Sequence, residues 1–289
     1  MSKSGATWRR FQLLVPVEQA SQAAALLENA TGCASATEIG RSDAAVSVYA
    51  PARGASRARA HVVTALARAR RRALFERIEL REESIAEDAW SSSWKRFFRP
   101  ARVADRLYVV PTWRRDFEAP RGAAQLFIDP GMAFGTGQHA TTRLAIKLSL
   151  DATKCGSIVL DIGCGSGIVG IAAALAGAAV HASDADSIAV AAAKMNFDAN
   201  GLRPQALRRY RGVPPSFPRA DVIIANITAR VLAPMAQTLA AKLKPRGRLI
   251  LSGYAERSRR SVEAAMAVAG LRVREQRSDG GWIAQVYSR

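Results

Sequence analysis

The chain of 289 residues has no run of about 18 apolar residues, so no membrane-spanning helix is expected. The opening residues, MSKSGATWRR, lack the apolar core of a secretory signal, and a cytoplasmic location is expected. Cysteine is scarce. Cys33, Cys155 and Cys164 are scattered, odd in number and without metal-ligand spacing, which excludes a disulfide framework, fits a reducing compartment and predicts no metal site. Acid is in short supply too: 24 Asp and Glu stand against 42 Lys and Arg, a formal charge of +18. The first ninety residues are close to balanced. The excess lies beyond them, in clusters such as Arg203, Arg208, Arg209 and Arg211, then Lys242, Lys244, Arg246 and Arg248, then Arg257, Arg259 and Arg260. Such charge favours polyanionic partners, with nucleic acid and ribosomes the natural candidates. It fits equally an arginine-rich composition with solvated helix faces.

What the chain does have is VLDIGCGSGIVGIAAALAGAAVHASDAD, from Val159 to Asp186. An apolar strand runs into Asp161. Gly163, Gly165 and Gly167 then permit a turn closed to other residues and let a ligand approach bare backbone. Ala172 to Ala176 suit a helix lying close on a sheet. Val180 to Ala182 form a second strand, and Asp184 sits at its carboxyl end. This is a nucleotide-type site at the edge of an open parallel sheet. Gly165, Gly167 and Gly170 also spell G-x-G-x-x-G, so the glycines alone admit a dinucleotide. Asp161 favours a cofactor with positive charge, since an adjacent carboxylate repels a pyrophosphate; S-adenosylmethionine carries a sulfonium and an α-ammonium. The alternative is that Asp161 caps the glycine loop.

Before this segment, residues 1–83 read as strand Arg9–Val15, helix Glu18–Ala30, strands Ser35–Ile39 and Ala45–Tyr49, helix Ser56–Arg72 and strand Phe75–Arg81. That order is the ferredoxin-like split unit, a small α+β domain with no catalytic constellation, expected to recognise a substrate. Ser84 to Phe98 predicts a linking helix over residues 84–100, with Trp90 and Trp94 on one face. Residues 101–289 form the remaining domain. Arg102–Val110 and Gln125–Ile128 read as strands. Asp129 to Thr142, DPGMAFGTGQHATT, has Gly131, Gly135 and Gly137 close together and must be an irregular loop able to cover a ligand, with Thr141 and Thr142 capping the helix Arg143–Leu150. Further on come helix Ser187–Asn200, strand Ala206–Tyr210, apolar strand Ala220–Ile227 ending near Asn226, helix Arg230–Leu243, strand Arg248–Ser252 and helix Arg257–Ala269. Leu271–Arg277 and Trp282–Tyr287 form a hairpin around Asp279-Gly280-Gly281. The fold class is α/β, a doubly wound Rossmann-like sheet closed by an antiparallel hairpin. That hairpin favours a class I methyltransferase over a dehydrogenase.

DPGMAFGTGQHATT, LDIGCGSGIVGIAA, SDAD, ANI and LSG, at these intervals, resemble the PrmA family, which methylates large-subunit ribosomal protein L-eleven (L11). The linker W-x-x-x-W-K-x-x-F and the closing WIAQVYSR are similar too. The resemblance covers residues 84–289 best, and AFGTGQHATT is its most specific element. It implies S-adenosyl-L-methionine as cofactor and transfer of methyl groups to lysine side-chain or N-terminal amines of L11, free or on the ribosome, with ribosomal RNA nearby. It implies that Thr142 and Asn226 lie at the methionine end, that Gly163 approaches the cofactor by its backbone, that Asp184 accepts the ribose hydroxyls, and that Phe134 and Gly135 belong to a covering loop. Asp161 and Gly165 complete the expected cofactor set, and Asn226 is the expected catalytic residue through the incoming amine. Departures from the family pattern are Ser187 for proline, Thr228 for leucine after Asn226-Ile227, and Tyr254-Ala255 after Ser252-Gly253. Alternatives are a methyltransferase of another protein or of RNA, or a non-catalytic S-adenosylmethionine-binding assembly factor.

Overall fold

The computed structural model describes residues 7–33, 35–40, 42–86, 98–129 and 135–289. Two compact units divide the chain, residues 1–99 and 100–289.

In the first unit, β1 (Thr7–Pro16) is followed by α1 (Ala20–Thr31), β2 (Ser35–Ile39), β3 (Asp43–Pro51), α2 (Ala52–Arg71) and β4 (Glu79–Ala86). The strands pair antiparallel in the order β2-β3-β1-β4. Alternation decides which face is covered: Phe11, Leu13 and Val15 of β1 and Val46 and Val48 of β3 pack with Ala23, Leu27, Val62 and Leu66 of the two helices. Sequence periodicity places the last strand at Phe75–Arg81, and β4 instead begins at Glu79 and runs to Ala86. β1 is ten residues long and pairs with β4 from Thr7↔Ala86 to Leu14↔Glu79. Satisfying that backbone edge outweighs the helical preference of Ser84 to Ala86, which were expected to open the linking helix. The rest of the expected helix through residue 97, with Trp90 and Trp94, lies outside the described residues.

The second unit starts with β5 (Ala101–Ala104), β6 (Leu107–Pro111) and β7 (Ala124–Ile128), a small sheet in that order. Sequence pattern makes residues 102–110 one strand; a turn at Asp105-Arg106 breaks it in two, and β5 folds back antiparallel on β6. Then come α3 (Ala140–Ala152), β8 (Ile158–Ile162), α4 (Ile168–Leu175), β9 (Ala179–Asp184), α5 (Ser187–Ala199), β10 (Ala206–Arg209), β11 (Ala220–Asn226), α6 (Ala229–Lys242), β12 (Leu243–Ala255), α7 (Arg259–Val268), β13 (Arg272–Asp279) and β14 (Trp282–Ser288). The main sheet has the order β10-β9-β8-β11-β12-β14-β13. Its first five strands are parallel and β14 enters antiparallel, the doubly wound sheet with a terminal hairpin expected from the sequence.

Strands buried on both faces read as continuous apolar runs, and successive residues sort to opposite cores. Val159, Val180, Val222, Ile224 and Ile250 pack beneath helices that include Ile146, Ile171 and Phe197. Leu160, Ile162, Ile223, Leu249 and Leu251 face Leu232, Leu239, Val262 and Met266 on the other side. Strand order reverses direction between β8 and β11. In open α/β sheets the crevice beyond the carboxyl ends of strands at such a reversal is where ligands bind. No helix among the described residues is long and apolar enough to cross a membrane.

Candidate functional site

The loops that leave β8 and β11 meet at this reversal. Gly163, Gly165 and Gly167 all have positive φ, at 71°, 53° and 81°. Gly163 is also crowded: a Cβ there would lie 2.4 Å from Ile227 Cγ2, in the loop after β11. Ile227 in turn lies flat on Gly253 of β12, where an added Cβ would sit 2.6 Å from the Ile227 backbone nitrogen. Glycine at both positions lets Ile227 pack closely between the glycine loop and β12.

Asp184 stands at the carboxyl end of β9. Its Oδ2 accepts the Gly165 N–H at 2.9 Å and its Oδ1 accepts the Asp186 N–H at 2.9 Å. A carboxylate has about four lone-pair sites, so about two remain for a ligand. Asp161 is 2% exposed, and its Oδ2 accepts the Gly170 N–H at 2.9 Å. That amide is one of those a helix's first turn leaves without an internal partner, so Asp161 anchors α4 from beneath the loop. Burial pushes its carboxyl up to about 7; the Gly170 bond opposes the shift and the nearby Asp184 charge adds to it.

Asn226 ends β11. Its Nδ2 donates to Thr142 Oγ1 at 3.5 Å, and its Oδ1 is buried with no partner among the described residues. Thr142 is fully buried in the first turn of α3. The expected cap, Thr141 or Thr142, is replaced by His139, whose Nδ1 accepts the Thr141 N–H at 3.3 Å and lies 2.7 Å from Thr141 Oγ1. Burial first, and Arg143 second, lower the His139 imidazole to about 4, against an opposing pull from Asp279. It is therefore neutral near pH 7, edge-on to Trp282 at 4.9 Å. Gly135 reaches the glycine loop through its carbonyl, which accepts the Ser166 hydroxyl. Phe134 lies outside the described residues. Among those described, no group of three His, Cys, Asp or Glu is placed to hold a metal.

The chain matches the family described as "Ribosomal protein L11 methyltransferase (PrmA)" over residues 7–289. The chain belongs to this family. A ribosomal protein L11 methyltransferase of Symbiobacterium thermophilum is 42% identical over 202 residues, covering 69% of this chain and 66% of the relative. One of Pelobacter propionicus is 41% identical over 215 residues, 71% of this chain and 68% of the relative. The match to the first thus spans slightly less than two thirds of that protein's length. The solved ribosomal protein L11 methylase of Lactobacillus delbrueckii subsp. bulgaricus superposes with a TM-score of 0.62 at 31% identity, covering 66% of this chain and 99% of that one.

Two departures from the pattern of the L11 methyltransferase family have clear positions. Tyr254 is 3% exposed, packed among Val262 and Met266, and its hydroxyl donates to Gln285 Oε1 at 2.9 Å, so it belongs to the core under α7. Thr228 is exposed and precedes α6 without a side-chain capping bond. Sequence reading missed Ser166, Ser252 and Ile227. Ser252 is fully buried, its hydroxyl 3.2 Å from the carbonyl oxygens of both Thr141 and Ile283, which joins α3 to the sheet. A lone hydroxyl at the end of an apolar strand was the available signal. Ile227 carried none, because its importance lies in two glycines distant in sequence.

Proposed function

We propose that this chain is an S-adenosylmethionine-dependent methyltransferase acting on amines of large-subunit ribosomal protein L11, at lysine side chains, the N-terminal amine or both. The observation that carries the reading is Asn226: a buried carbonyl oxygen without a partner among the described residues, at the carboxyl end of a strand beside the glycine loop. A buried acceptor left unpaired is costly, and a ligand N–H relieves it. Membership of the L11 methyltransferase family supports the substrate.

The residues present fit the cofactor. Asp184 has lone pairs to spare for two ribose hydroxyls, and Gly163 and Gly165 offer backbone. Thr142 and Asn226 line the methionine end, and Gly135 meets the glycine loop at Ser166. Asp161 acts from beneath the loop by holding the Gly170 N–H and so the start of α4, rather than by contact with the cofactor. The Asp184 carboxylate at the glycine loop suits hydroxyl donors and repels a pyrophosphate. When bound, S-adenosylmethionine supplies a methyl group on a positively charged sulfur, open to in-line displacement.

The chain's own contribution is alignment and exclusion of water. The target amine must arrive neutral. An N-terminal amine, with an ordinary pKa of about 8, loses its proton far more readily than a lysine at about 10.4. Asn226 Oδ1 accepts an N–H from that neutral amine without stabilising an ammonium as a carboxylate would. His139 is held neutral and its Nδ1 is engaged at Thr141, so it serves as a cap rather than a base.

The first unit, whose sheet runs to Ala86 and carries no chemistry of its own, is the substrate-recognition part. Arg57, Arg68, Arg71 and Arg72 of α2 and the turn after it are exposed, which suits a target presented beside ribosomal RNA. Calorimetry tests the cofactor reading: tight binding of S-adenosylmethionine and none of NAD is expected. Tighter binding of NAD would overturn it. A truncation lacking residues 1–86 and shown to fold should keep cofactor binding and lose methylation of L11; full-rate transfer would refute the division of labour.

A further inference from the structure

β7 is an edge strand whose free side faces α5, and two asparagines, one in that helix and one capping its C-terminus, supply the missing partner. Asn200 Oδ1 accepts the Phe127 N–H at 2.8 Å, and its Nδ2 donates to the Phe127 carbonyl at 2.7 Å. One turn earlier, Asn196 Oδ1 accepts the Asp129 N–H at 2.8 Å, and its Nδ2 donates to the Asp129 carbonyl at 3.3 Å. The spacing suits the pairing. Four helical residues rise about 6 Å and two strand residues about 6.6 Å, so amides at i and i+4 meet backbone groups at i and i+2 on one strand edge.

Asn200 Nδ2 also donates to the Asn196 backbone carbonyl at 2.7 Å, within its own end of the helix, whereas Asn196 turns to the glycine loop. Asn196 Nδ2 also donates to the Ser166 carbonyl, inside that loop, at 2.9 Å, and the side chain is 1% exposed. Ser166 donates its hydroxyl to Gly135. Both described ends of the segment between β7 and α3 are thereby fastened to one residue of the loop. The close approach is built in at Gly167, where a Cβ would lie 3.1 Å from Ala193 Cβ and 3.3 Å from Phe197 Cε2.

We infer that Asn196 is a positioning residue, which holds the exit of β7 and the glycine loop in fixed relation so that both walls of the cofactor crevice are set by one amide. The inference rests on the S-adenosylmethionine reading for its readout. Asn200 is an internal control, because from the residue that caps the same helix it makes the same strand-edge bonds, with its other donor on the Asn196 backbone and none on the loop.

Calorimetry with S-adenosylmethionine on the full chain decides the matter. Asn196→Asp is nearly isosteric and keeps the acceptor for Asp129 N–H while replacing the donor to Ser166. It should raise the cofactor Kd at least about tenfold, the size expected for loss of a buried hydrogen bond. Asn200→Ala should lower the melting temperature yet leave Kd within about twofold. Hydrogen exchange on the wild-type chain needs no variant: cofactor should slow exchange at the Asp129 amide more than at the Phe127 amide. Unchanged Kd in Asn196→Asp, equal weakening in Asn200→Ala, or no selective protection of Asp129 would overturn the inference. A wild-type chain that binds no S-adenosylmethionine would sink the functional reading and this role with it, whereas wild-type binding with an unaffected Asn196→Asp sinks the inference alone.

Discussion

Asn226 and Thr142 meet across the crevice, the Nδ2 of one donating to the Oγ1 of the other at 3.5 Å. β11 supplies the amide and the first turn of α3 supplies the hydroxyl. With Nδ2 committed to Thr142, Oδ1 is the atom left to take an incoming N–H. Asn226→Ala is therefore expected to lower kcat about 10²-fold, in the range seen when one oriented polar group is removed from an active site. Cofactor Kd should change less than tenfold. Single-turnover transfer measured beside calorimetry separates the two, and a kcat within twofold of wild type would remove Asn226 from the reaction.

Asp184 carries a different load, joining the glycine loop through Gly165 and keeping oxygen lone pairs free. Asp184→Ala should weaken S-adenosylmethionine binding by about 2–3 kcal/mol, since hydrogen bonds to a charged acceptor are lost. Calorimetry at constant pH gives the number directly. Unchanged affinity would refute the ribose assignment.

Asp161 predicts a pH dependence. Its carboxyl is pushed up to about 7 in the folded chain, from an ordinary value near 3.8. The folded state then binds more protons than the unfolded state between those values, so this group makes stability fall as pH rises through the window from about 4 to 7. Asp161→Asn keeps an acceptor for the Gly170 N–H and removes the charge. Urea denaturation without cofactor should show the variant more stable than wild type at pH 8, by at most a few kcal/mol, and equal to it at pH 4. Parallel curves at both pH values would contradict the assignment.

Gly163→Ala combines a positive φ of 71° with a Cβ placed 2.4 Å from Ile227 Cγ2. Strain of about 1–2 kcal/mol adds to the clash, so the variant should be destabilised and bind cofactor poorly. Ile227→Ala in the same chain should restore part of the loss, and a double-mutant cycle reads that coupling. Gly253→Ala, which meets Ile227 backbone instead, should gain nothing from Ile227→Ala. Strict additivity at the first pair would mean that the loops do not touch as described.

The sequence made the main sheet legible because its central strands are buried on both faces and flanked by glycine or turn residues, so Ile158–Ile162 and Ala220–Asn226 stand out as apolar runs and Val180–Ala182 as a shorter strand between helices. Asp184 and Asn226 could be placed because they end such runs. Elements whose extent depends on pairing were harder. β4 runs on to Ala86 because β1 is long, and nothing within Ser84–Ala86 announces it. His139 displaced Thr141 as the cap because a ring nitrogen can accept the same amide, a role usually filled by short oxygen-bearing side chains. Asn196 went unread as well. An asparagine inside a helix is a poor helix former, and that mismatch was the one local sign of a partner elsewhere.

The most direct test of the account is to incubate the full chain with methyl-labelled S-adenosylmethionine and ribosomes or purified ribosomal proteins, and to map the label by mass spectrometry. Label is expected on amine nitrogens of ribosomal protein L11 and is lost in Asn226→Ala. Label on RNA or on another protein alone, or none with cofactor bound, would contradict it.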